Sequence, residues 1–403
     1  MGLQGTLKSF NFTSFPDLVH LRFTNFTIFG TIPSQISSLS KLRFLALSYN
    51  QLNGEIPSEI TMVTSLQFLY LGVNHLSGST PSGIGKISYL IELDVSYNNL
   101  SGSIPASLGD LYNLTYLGLQ VNALSGSIPL EIGGLKNLSV LYMYKNSLTG
   151  SIPFTFGNLT KLTTSYLYKN NLSGPIPLEI GNLASLVELD MSENLLTGSI
   201  RSTFGNLTKL TYLSLYKNSL SGPIPLEMVG NLAPLVDWEN LLTGSIPSMI
   251  GNLTKLTTLY LYKNSLSGAI PLERGNLASL IELDMSENLL TGSIPSTFGN
   301  FTKLTKLDLS INLLIGSIPH SFGNFSKLKQ LYLFDNQLSG IIPAFIGNLK
   351  SLVTLQFSGN NLIGNLPQQL CVGGSLSYFS ASDNSLTGPI SKGLINCTSL
   401  LRV

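Results

Sequence analysis

The chain has 403 residues, of which 43% are hydrophobic and only 11% are charged, and its formal net charge is +1. Soluble domains usually carry about 25% charged residues, and a chain with so few basic groups is a poor partner for nucleic acid or an anionic membrane. No uninterrupted apolar stretch approaches the ~18 residues that a membrane-spanning helix needs, so no membrane contact is expected of this segment.

A repeated phrase organises the chain from its first residues to its last. The phrase N-x-L-x-G-x-I-P recurs seventeen times, with its glycine running from Gly5 to Gly388. The step is 24 residues, except for 25 at the start and 22 between Gly222 and Gly244. Such a fixed period is typical of a solenoid. The repeat therefore predicts one solenoid domain over residues 1–403, with an irregular short turn at 223–244.

Each turn contains the signals for one short strand. The L-x-L core alternates apolar and polar residues with period two, which predicts a strand, and Gly and Pro then turn the chain. A turn of 24 residues cannot bury its leucines alone, so consecutive turns stack and their strands pair in parallel. An asparagine column runs from Asn50 to Asn384, and we expect its amides to point inward and satisfy buried backbone groups.

A complete turn reads L-x-x-L-x-L-x-x-N-x-L-x-G-x-I-P-x-x-[ILF]-G-N-L-x-x and resembles the plant-specific class of leucine-rich repeats over the whole chain. The resemblance implies an α/β-type repeat solenoid, a right-handed superhelix of about seventeen turns with the L-x-G-x-I-P signature. Its short parallel strands would form a concave sheet, and no long helix is expected.

More closely, the chain looks like the ectodomain of a plant leucine-rich-repeat receptor-like kinase, in the branch that senses peptides and microbial patterns. This resemblance implies an extracellular domain that binds a secreted peptide or protein ligand on its concave face, with a shorter leucine-rich-repeat co-receptor as a further partner. The Arg-x-Arg pair of some peptide receptors is missing from the sequence, so that binding mode is not expected here. The chain begins with "MGLQGTL" and ends with "NCTSLLRV", inside turns, which suggests a fragment without signal peptide, caps or transmembrane helix.

Outward strand positions on the concave face are the candidate ligand-binding residues. Bands of tyrosine alternate with acidic bands along the chain. Exposed tyrosine on a rigid sheet offers a large contact area with few rotors, although the recurrence within 159–298 also reflects copying of a pair of turns. The candidates are Tyr142, Tyr144, Tyr166, Tyr168, Glu188, Asp190, Tyr212, Tyr216, Tyr260, Tyr262, Glu282, Asp284, Tyr332 and Phe334.

The short turn reads "GNLAPLVDWENLLTG" where residues 181–198 read "GNLASLVELDMSENLLTG". Three residues are missing from the middle of the phrase, at the expected strand. We therefore predict that the ladder is broken or bulged at residues 234–239. We also predict that Trp238 turns inward and fills the slot that Met191 occupies in the intact copy.

Two cysteines and a set of glycosylation sequons point to an oxidising, extracellular compartment. Cys371 and Cys397 fall on adjacent turns with Cα atoms roughly 5–7 Å apart, which permits a disulfide; two buried free thiols are the alternative. Twelve N-x-[ST] sequons are present. They are Asn11, Asn25, Asn99, Asn113, Asn137, Asn158, Asn171, Asn206, Asn252, Asn300, Asn324 and Asn396.

No catalytic or metal-binding pattern stands out, and no cofactor or enzymatic activity is expected. His20, His75 and His320 lie turns apart. The carboxylate pairs, such as Glu188 with Asp190, would sit ~7 Å apart on an open face, and we expect them to be solvated surface groups. Two alternatives to a receptor domain are a secreted protein resembling polygalacturonase-inhibiting proteins, which are shorter and capped, and a non-functional receptor fragment.

Overall fold

The computed structural model describes residues 4–225, 235–237, 239–248, 256–271, 277–395 and 397–402. It forms two compact units, Met1–Leu210 and Thr211–Val403. Each unit is a stack of turns, and each regular turn contributes a three-residue strand around its L-x-L core, here called an L-x-L strand. A second strand follows the asparagine column and, in most turns, contains the repeat glycine; it is here called an L-x-G strand. The predicted repeating unit of short parallel strands is confirmed.

The L-x-L strands of each unit form one parallel ladder. In the first unit the central residues follow one another in register, as Leu93 lies opposite Leu117 and Leu117 opposite Leu141. These leucines are buried because both neighbouring turns cover them. The strands of the first unit are His20–Arg22, Phe44–Ala46, Phe68–Tyr70, Glu92–Asp94, Tyr116–Gly118, Val140–Tyr142, Thr164–Tyr166 and Glu188–Asp190. Those of the second unit are Tyr212–Ser214, Leu235–Asp237, Thr258–Tyr260, Glu282–Asp284, Lys306–Asp308, Gln330–Tyr332, Thr354–Gln356 and Tyr378–Ser380.

The L-x-G strands pair in parallel along one flank of each unit. Their glycine has a positive φ, for example 73° at Gly126, which a side chain would disfavour, and this explains the invariable glycine of the repeat. In the first unit they are Gln4–Thr6, Thr27–Gly30, Gln51–Glu55, His75–Ser77, Ser101–Ser103, Ala123–Ser127, Ser147–Gly150, Asn171–Pro175 and Leu195–Ser199. In the second they are Ser219–Gly222, Leu241–Gly244, Ser265–Ala269, Leu289–Thr291, Ile315–Gly316, Gln337–Ile341, Asn361–Gly364 and Ser385–Leu386.

Short 3₁₀ helices return the chain to the next L-x-L strand. Most begin just after the repeat proline, whose ring fixes φ at the helix start. In the first unit they are Leu7–Ser9, Phe12–Ser14, Ser34–Ser38, Ser58–Met62, Ile84–Lys86, Ala106–Asp110, Leu130–Gly134, Phe154–Asn158, Leu178–Asn182 and Ser202–Asn206. In the second they are Ser296–Asn300, His320–Asn324 and Ala344–Asn348, followed by a four-residue α-helix at Lys392–Ile395. Within the described ranges no helix is long and apolar enough to cross a bilayer.

The asparagine column forms the predicted inward amide ladder. Asn170 is typical: its amide nitrogen donates to the carbonyls of Met143 and Leu167, each at 3.0 Å. Its amide oxygen accepts the Leu148 N–H at 3.0 Å. Each asparagine therefore satisfies backbone groups of its own turn and of the preceding one, at the point where the chain leaves the strand and its own ladder bonds end.

The short turn keeps a strand, so the break predicted at residues 234–239 is wrong for residues 235–237, while residues 234 and 238 lie outside the described residues. Leu235–Asp237 pairs in parallel with both neighbouring strands. Val236 lies opposite Leu213 on one side and Leu259 on the other. Trp238, which we predicted to fill an inward slot, lies outside the described residues. The strand forms because two regular neighbours present a complete hydrogen-bonding edge on each side.

The residues missing from the short turn are taken from both sides of the strand. In a regular turn the central strand residue precedes its asparagine by five positions, as Leu283 precedes Asn288, whereas Val236 precedes Asn240 by four. The preceding interval shrinks by one as well, from 19 between Asn264 and Leu283 to 18 before Val236. Asn240 still accepts the Leu220 N–H at 3.1 Å and donates to the Leu215 carbonyl at 2.9 Å. The position of the strand in this turn is therefore set by backbone pairing with its neighbours and not by the residue-by-residue match to the intact copy.

Cys371 and Cys397 form a disulfide with their Cα atoms 5.6 Å apart. It joins two consecutive turns near the end of the second unit and closes a loop with a sequence separation of 26. A crosslink of this loop size restricts the unfolded chain and stabilises the turns that it joins.

Ser165 replaces the central leucine in the strand Thr164–Tyr166 and is fully buried, with no hydrogen-bond partner for its hydroxyl. Burying an unpaired hydroxyl costs about 1–3 kcal/mol. We therefore expect Ser165→Ala to raise the free energy of unfolding by about 1 kcal/mol, measured by chemical denaturation. Ser147→Ala, at an exposed position, is the control and should change nothing. A destabilised Ser165→Ala variant would contradict the prediction.

Candidate ligand-binding face

The first and third residues of each L-x-L strand, with the residue two positions after the strand, point away from the core and are here called the open face. The alternation of a strand places these side chains on one side while the intervening leucines are buried. Tyr142 and Tyr144 are half-buried in this way around the buried Met143. This is the surface that the sequence assigns to the concave side.

Four predicted tyrosines stack on one another in the first unit. The rings of Tyr144 and Tyr168 are 4.5 Å apart and nearly parallel, at 6°. Those of Tyr142 and Tyr166 are 5.2 Å apart. Because identical positions of consecutive turns lie one strand spacing apart, ~4.8 Å, flat rings in one column stack without strain. The repeat therefore builds a rigid aromatic surface.

Three further tyrosines, which the sequence-based list omitted, extend this surface. Tyr116 packs edge-on against Tyr142, with ring centroids 5.9 Å apart. The hydroxyl of Tyr97 lies 3.4 Å from that of Tyr144. Tyr70 lies two turns before Tyr116 in the same surface. The signal was present, since Tyr70 and Tyr116 occupy outward strand positions, but they belong to no repeated motif.

The carboxylates of the open face accept hydrogen bonds from tyrosine and serine, and the prediction of solvated surface groups is wrong for Asp190 and Asp284, which are buried. Glu92 accepts the Tyr70 hydroxyl at 2.6 Å, and Glu188 accepts the hydroxyl of Tyr166. Asp190 is only 9% exposed and accepts the Ser192 hydroxyl at 2.6 Å. Serine two residues after the strand caps the carboxylate, which allows burial without loss of hydrogen bonds.

Burial and neighbouring carboxylates raise the pKa of several of these tyrosines. Desolvation is the largest cause for Tyr116, whose pKa rises to about 12, and the charge of Asp94 adds to it. Desolvation also raises the pKa of Tyr142, with a further contribution from Glu188, and that of Tyr168, with Asp190. The hydroxyls therefore stay protonated and remain donors at neutral pH.

We expect the protein to lose stability as the pH rises from about 10 to about 12. Tyr116 has a folded pKa of about 12 against an ordinary value of 10.0, so the unfolded chain binds fewer protons in this window and unfolding is favoured. Below pH 10 the contribution is complete. Chemical denaturation at several pH values measures the slope, which Tyr116→Phe should reduce. The exposed Tyr112→Phe of the same turn should keep the wild-type slope, and an equal slope in all three proteins would refute the assignment.

The second unit carries the other predicted residues. Tyr262 lies 6.3 Å from both Tyr216 and Tyr260, measured between ring centroids. Tyr260 donates its hydroxyl to Glu282. Tyr212, Tyr332 and Phe334 are half-buried on the same open face.

A lysine that was not predicted organises the acidic part of this second face. Lys306 binds Asp284 at 2.7 Å, and its ammonium lies 5.6 Å from the Tyr260 ring centroid. Asp284 is 7% exposed and also accepts the Ser286 hydroxyl at 2.6 Å. Burial, with the charge of Asp284, raises the pKa of Asp308. Lys306 therefore balances the charge of Asp284 within the protein.

The described part of the chain holds no cluster of three or more His, Cys, Asp or Glu side chains that could bind a metal ion. The carboxylate pairs of the open face are engaged by tyrosine hydroxyls and serines, as described above. The arrangement is suited to contact with a ligand through aromatic faces and a limited number of charged groups.

None of the described sequon asparagines occupies an open-face position. Asn158, Asn206, Asn300 and Asn324 are exposed at the ends of 3₁₀ helices, and Asn11, Asn25, Asn99 and Asn171 are exposed elsewhere. Asn113 and Asn137 are half-buried and donate to the carbonyls of the preceding turn, at 3.0 and 2.8 Å. Asn252 and Asn396 lie outside the described residues.

We expect glycans on the exposed 3₁₀ column and a glycan-free open face. In protein secreted from plant cells, glycopeptide mapping should find sugar on Asn158, Asn206, Asn300 or Asn324, because these side chains point into solvent. Asn182 lies in the same column without a sequon and serves as the unmodified reference peptide. Unmodified asparagine at all four sequons would contradict the expectation.

Comparison with known proteins identifies the class. A leucine-rich repeat region model matches residues 93–241, and a leucine rich repeat model matches residues 302–362. A further model of the same repeat matches 41–62, 65–87 and 279–301. No curated protein matches the chain in sequence. The chain is a leucine-rich-repeat protein.

Solved structures narrow the class. The plant peptide hormone receptor RGFR1 in complex with RGF2 is 35% identical, with a TM-score of 0.89, over 99% of this chain and 67% of that chain. The LRR ectodomain of the membrane receptor kinase GASSHO1/SCHENGEN3 from Arabidopsis thaliana, with CASPARIAN STRIP INTEGRITY FACTOR 2, is 36% identical, with a TM-score of 0.84, over 100% of this chain and 51% of that chain. The Arabidopsis receptor kinase HAESA ectodomain with an IDA peptide is 30% identical, with a TM-score of 0.81, over 100% and 72%.

The chain therefore belongs to the family of plant leucine-rich-repeat receptor kinase ectodomains. It spans about half of the GASSHO1/SCHENGEN3 ectodomain and about two thirds of the RGFR1 ectodomain. HAESA has also been solved with IDA and the co-receptor SERK1.

Proposed function

We propose that this chain is the ligand-recognition segment of the extracellular domain of a plant receptor kinase, and that a secreted peptide or protein binds its open face. The observation that carries the proposal is the tyrosine surface of the first unit, in which Tyr142, Tyr144, Tyr166 and Tyr168 stack on a rigid ladder. Large rings held by their neighbours lose little conformational freedom on binding, so contact with a ligand costs little side-chain conformational entropy.

Three further observations support this proposal. The family members above are solved with peptides bound, and they are ligand-binding ectodomains rather than enzymes. The disulfide and the exposed sequons fit an oxidising compartment on the outer side of the plasma membrane. By analogy with HAESA, a shorter leucine-rich-repeat co-receptor is a further partner.

The test is capture of ligands by the secreted protein. Immobilised wild-type protein is incubated with plant extracellular fluid, and retained peptides are identified by mass spectrometry, resynthesised and titrated by calorimetry. Tyr144→Ala combined with Tyr168→Ala should weaken binding at least about tenfold, since two stacked rings leave the interface.

Tyr89→Ala combined with Tyr112→Ala is the matched control, because both tyrosines are more than half exposed and lie off the open face. Equal affinity in the wild-type and in both double variants would overturn the proposed binding face. A retained plant polygalacturonase would instead favour the inhibitor alternative.

A further inference from the structure

We infer that the ligand of the first unit is an extended peptide with two arginine side chains about six residues apart, joined by an apolar or aromatic segment. The inference rests on the proposed function, because it assigns chemistry to a ligand of the same open face. It follows from the charges, the spacing and the aromatic surface between Phe44 and Ser192.

The charge at the outward positions between Phe44 and Ser192 has one sign. From Phe44 to Ser192 the outward strand positions include four carboxylates and no lysine or arginine. The carboxylates are Glu92, Asp94, Glu188 and Asp190. Cations flank these positions: Arg43 lies one residue before Phe44, and Lys145 and Lys169 lie one residue beyond the outward positions, with Lys169 paired with Glu193 at 3.2 Å. The preceding strand His20–Arg22 carries Arg22 at an outward position. A cationic ligand is therefore attracted to the face, and an anionic one is repelled.

The carboxylates lie in two pairs at the ends of the tyrosine surface. The strand Glu92–Asp94 and the strand Glu188–Asp190 are four ladder steps apart, through register partners at Leu117, Leu141 and Ser165. Four steps of ~4.8 Å give about 19 Å. An extended peptide advances ~3.3 Å per residue, so two side chains about six residues apart span this distance.

The Glu92–Asp94 end of the face favours arginine over lysine. Tyr70 occupies one oxygen of Glu92, at 2.6 Å, and a carboxylate retains further acceptor sites. Asp94 lies in register between Tyr70 and Gly118, and it accepts the Ser96 N–H at 3.0 Å. Gly72 and Gly118 place no side chain over the carboxylate, and a Cβ at either would lie 3.0 Å from it. A planar guanidinium can bind such a carboxylate through two parallel hydrogen bonds and stack on tyrosine at the same time.

An unpaired acceptor next to this end points to the same chemistry. Gln120 is 6% exposed, its amide interacts with the Tyr116 hydroxyl, and its Oε1 has no hydrogen-bond partner. The charge of Asp94 also raises the pKa of Tyr116. A ligand with several N–H donors can bond to the Asp94 carboxylate beside Tyr116, and rotation of the Gln120 side chain would bring its enclosed amide oxygen within reach of the same donors, which a single ammonium supplies less well.

The stacked tyrosines between the two ends determine the middle of the peptide. Tyr142, Tyr144, Tyr166 and Tyr168 present ring faces and edges, and desolvation already raises the pKa of Tyr142 and Tyr168. Proline, tyrosine or glycine pack on such a surface without burying an unpaired charge. An acidic residue in the middle would be repelled by both ends.

The test uses synthetic probes and the full secreted chain. The probe is a seven-residue peptide, acetylated and amidated, with arginine at positions 1 and 7 and proline, glycine and tyrosine between them. Its isomer has the same composition with arginine at positions 1 and 4. Calorimetry should show that the first probe binds at least about tenfold more tightly than the isomer, and that binding weakens as salt is raised.

Variants then locate the contacts. Asp94→Asn and Glu188→Gln, which keep the shape of each side chain, should each weaken the first probe about tenfold. Glu131→Gln and Glu179→Gln, made separately, each remove one charge from a 3₁₀ helix of the same unit and should leave affinity unchanged. Unfolding curves check that every variant is folded.

Equal affinity of the two isomers, or no effect of Asp94→Asn and Glu188→Gln, would overturn the inference. A captured natural peptide that depends on Tyr144 and Tyr168 but lacks two spaced cations would overturn it as well and leave the proposed function standing. Failure of the proposed function would give a different result, because no captured ligand would then depend on Tyr144 and Tyr168.

Discussion

Replacing Asn194 by alanine is expected to lower the free energy of unfolding by about 3–5 kcal/mol, because each buried polar group left without a partner costs about 1–3 kcal/mol. Asn194 is 6% exposed. Its amide nitrogen donates to the carbonyls of Leu167 at 3.1 Å, Met191 at 3.1 Å and Ser192 at 3.0 Å. Its amide oxygen accepts the Leu172 N–H at 3.0 Å. Alanine removes all four bonds and leaves a cavity between two turns.

Chemical denaturation of purified protein measures this effect, and Asn182→Ala provides the control. Asn182 belongs to the same turn but is exposed, so its replacement should change the free energy of unfolding by less than about 0.5 kcal/mol. Asn194→Asp keeps the acceptor but places a carboxylate against three carbonyl oxygens, so at neutral pH it should destabilise the protein at least as much as Asn194→Ala. If Asn194→Ala and Asn182→Ala unfold at the same denaturant concentration, the amide ladder does not stabilise the fold as described.

The sequence was sufficient to predict this amide ladder because every turn pairs the same backbone groups with asparagine at the same position. A short strand that ends in a turn leaves backbone groups unpaired, and asparagine at one fixed position pairs them in each copy. The parallel pairing of the L-x-L strands follows from the same repetition, and it is confirmed.

The prediction for the short turn was wrong because the match between its sequence and the intact copy ignores the hydrogen bonds that the neighbouring strands offer. The sequence places the deletion at the strand, whereas pairing with Leu213 and Leu259 keeps the strand and moves the loss to the segments on either side. A strand between two complete edges gains ladder hydrogen bonds at every position, which outweighs a shorter loop. The position of this strand is therefore determined by the neighbouring turns and cannot be read from the fifteen residues of the phrase alone.

The candidate site could be placed on its surface from the sequence but not described in detail. Tyr144 and Tyr168 were predicted because they belong to a motif that recurs along the chain. Tyr70 and Tyr116 were missed because they belong to no such motif. The burial of Asp190 depends on the rotamer of Ser192, which bonds to it at 2.6 Å. Side-chain rotamers across turns follow from packing, and no spacing rule in the sequence records them.

The second large effect is expected from Gly85→Ala, which should lower the free energy of unfolding by about 3 kcal/mol through overpacking between turns. Gly85 lies in the 3₁₀ helix Ile84–Lys86, and a Cβ built there would lie 2.2 Å from the Ser107 carbonyl oxygen of the next turn. A backbone oxygen cannot swing aside, so the two turns must separate. The same close approach recurs at Gly109, Gly133, Gly157, Gly181, Gly299 and Gly347.

Gly83→Ala isolates this steric effect, because Gly83 is two residues away and has room for a side chain. Its φ is −89°, and a Cβ there would meet the Thr61 side chain at ordinary distances of 3.5 and 3.6 Å. Alanine also restricts the unfolded chain, so Gly83→Ala should be neutral or stabilising by about 0.4–1 kcal/mol. Denaturation of both variants under one set of conditions gives the comparison. Equal stability of the two variants would mean that the 3₁₀ helices of consecutive turns do not pack with the backbone contact seen at Ser107, and that the glycine of this column has another cause.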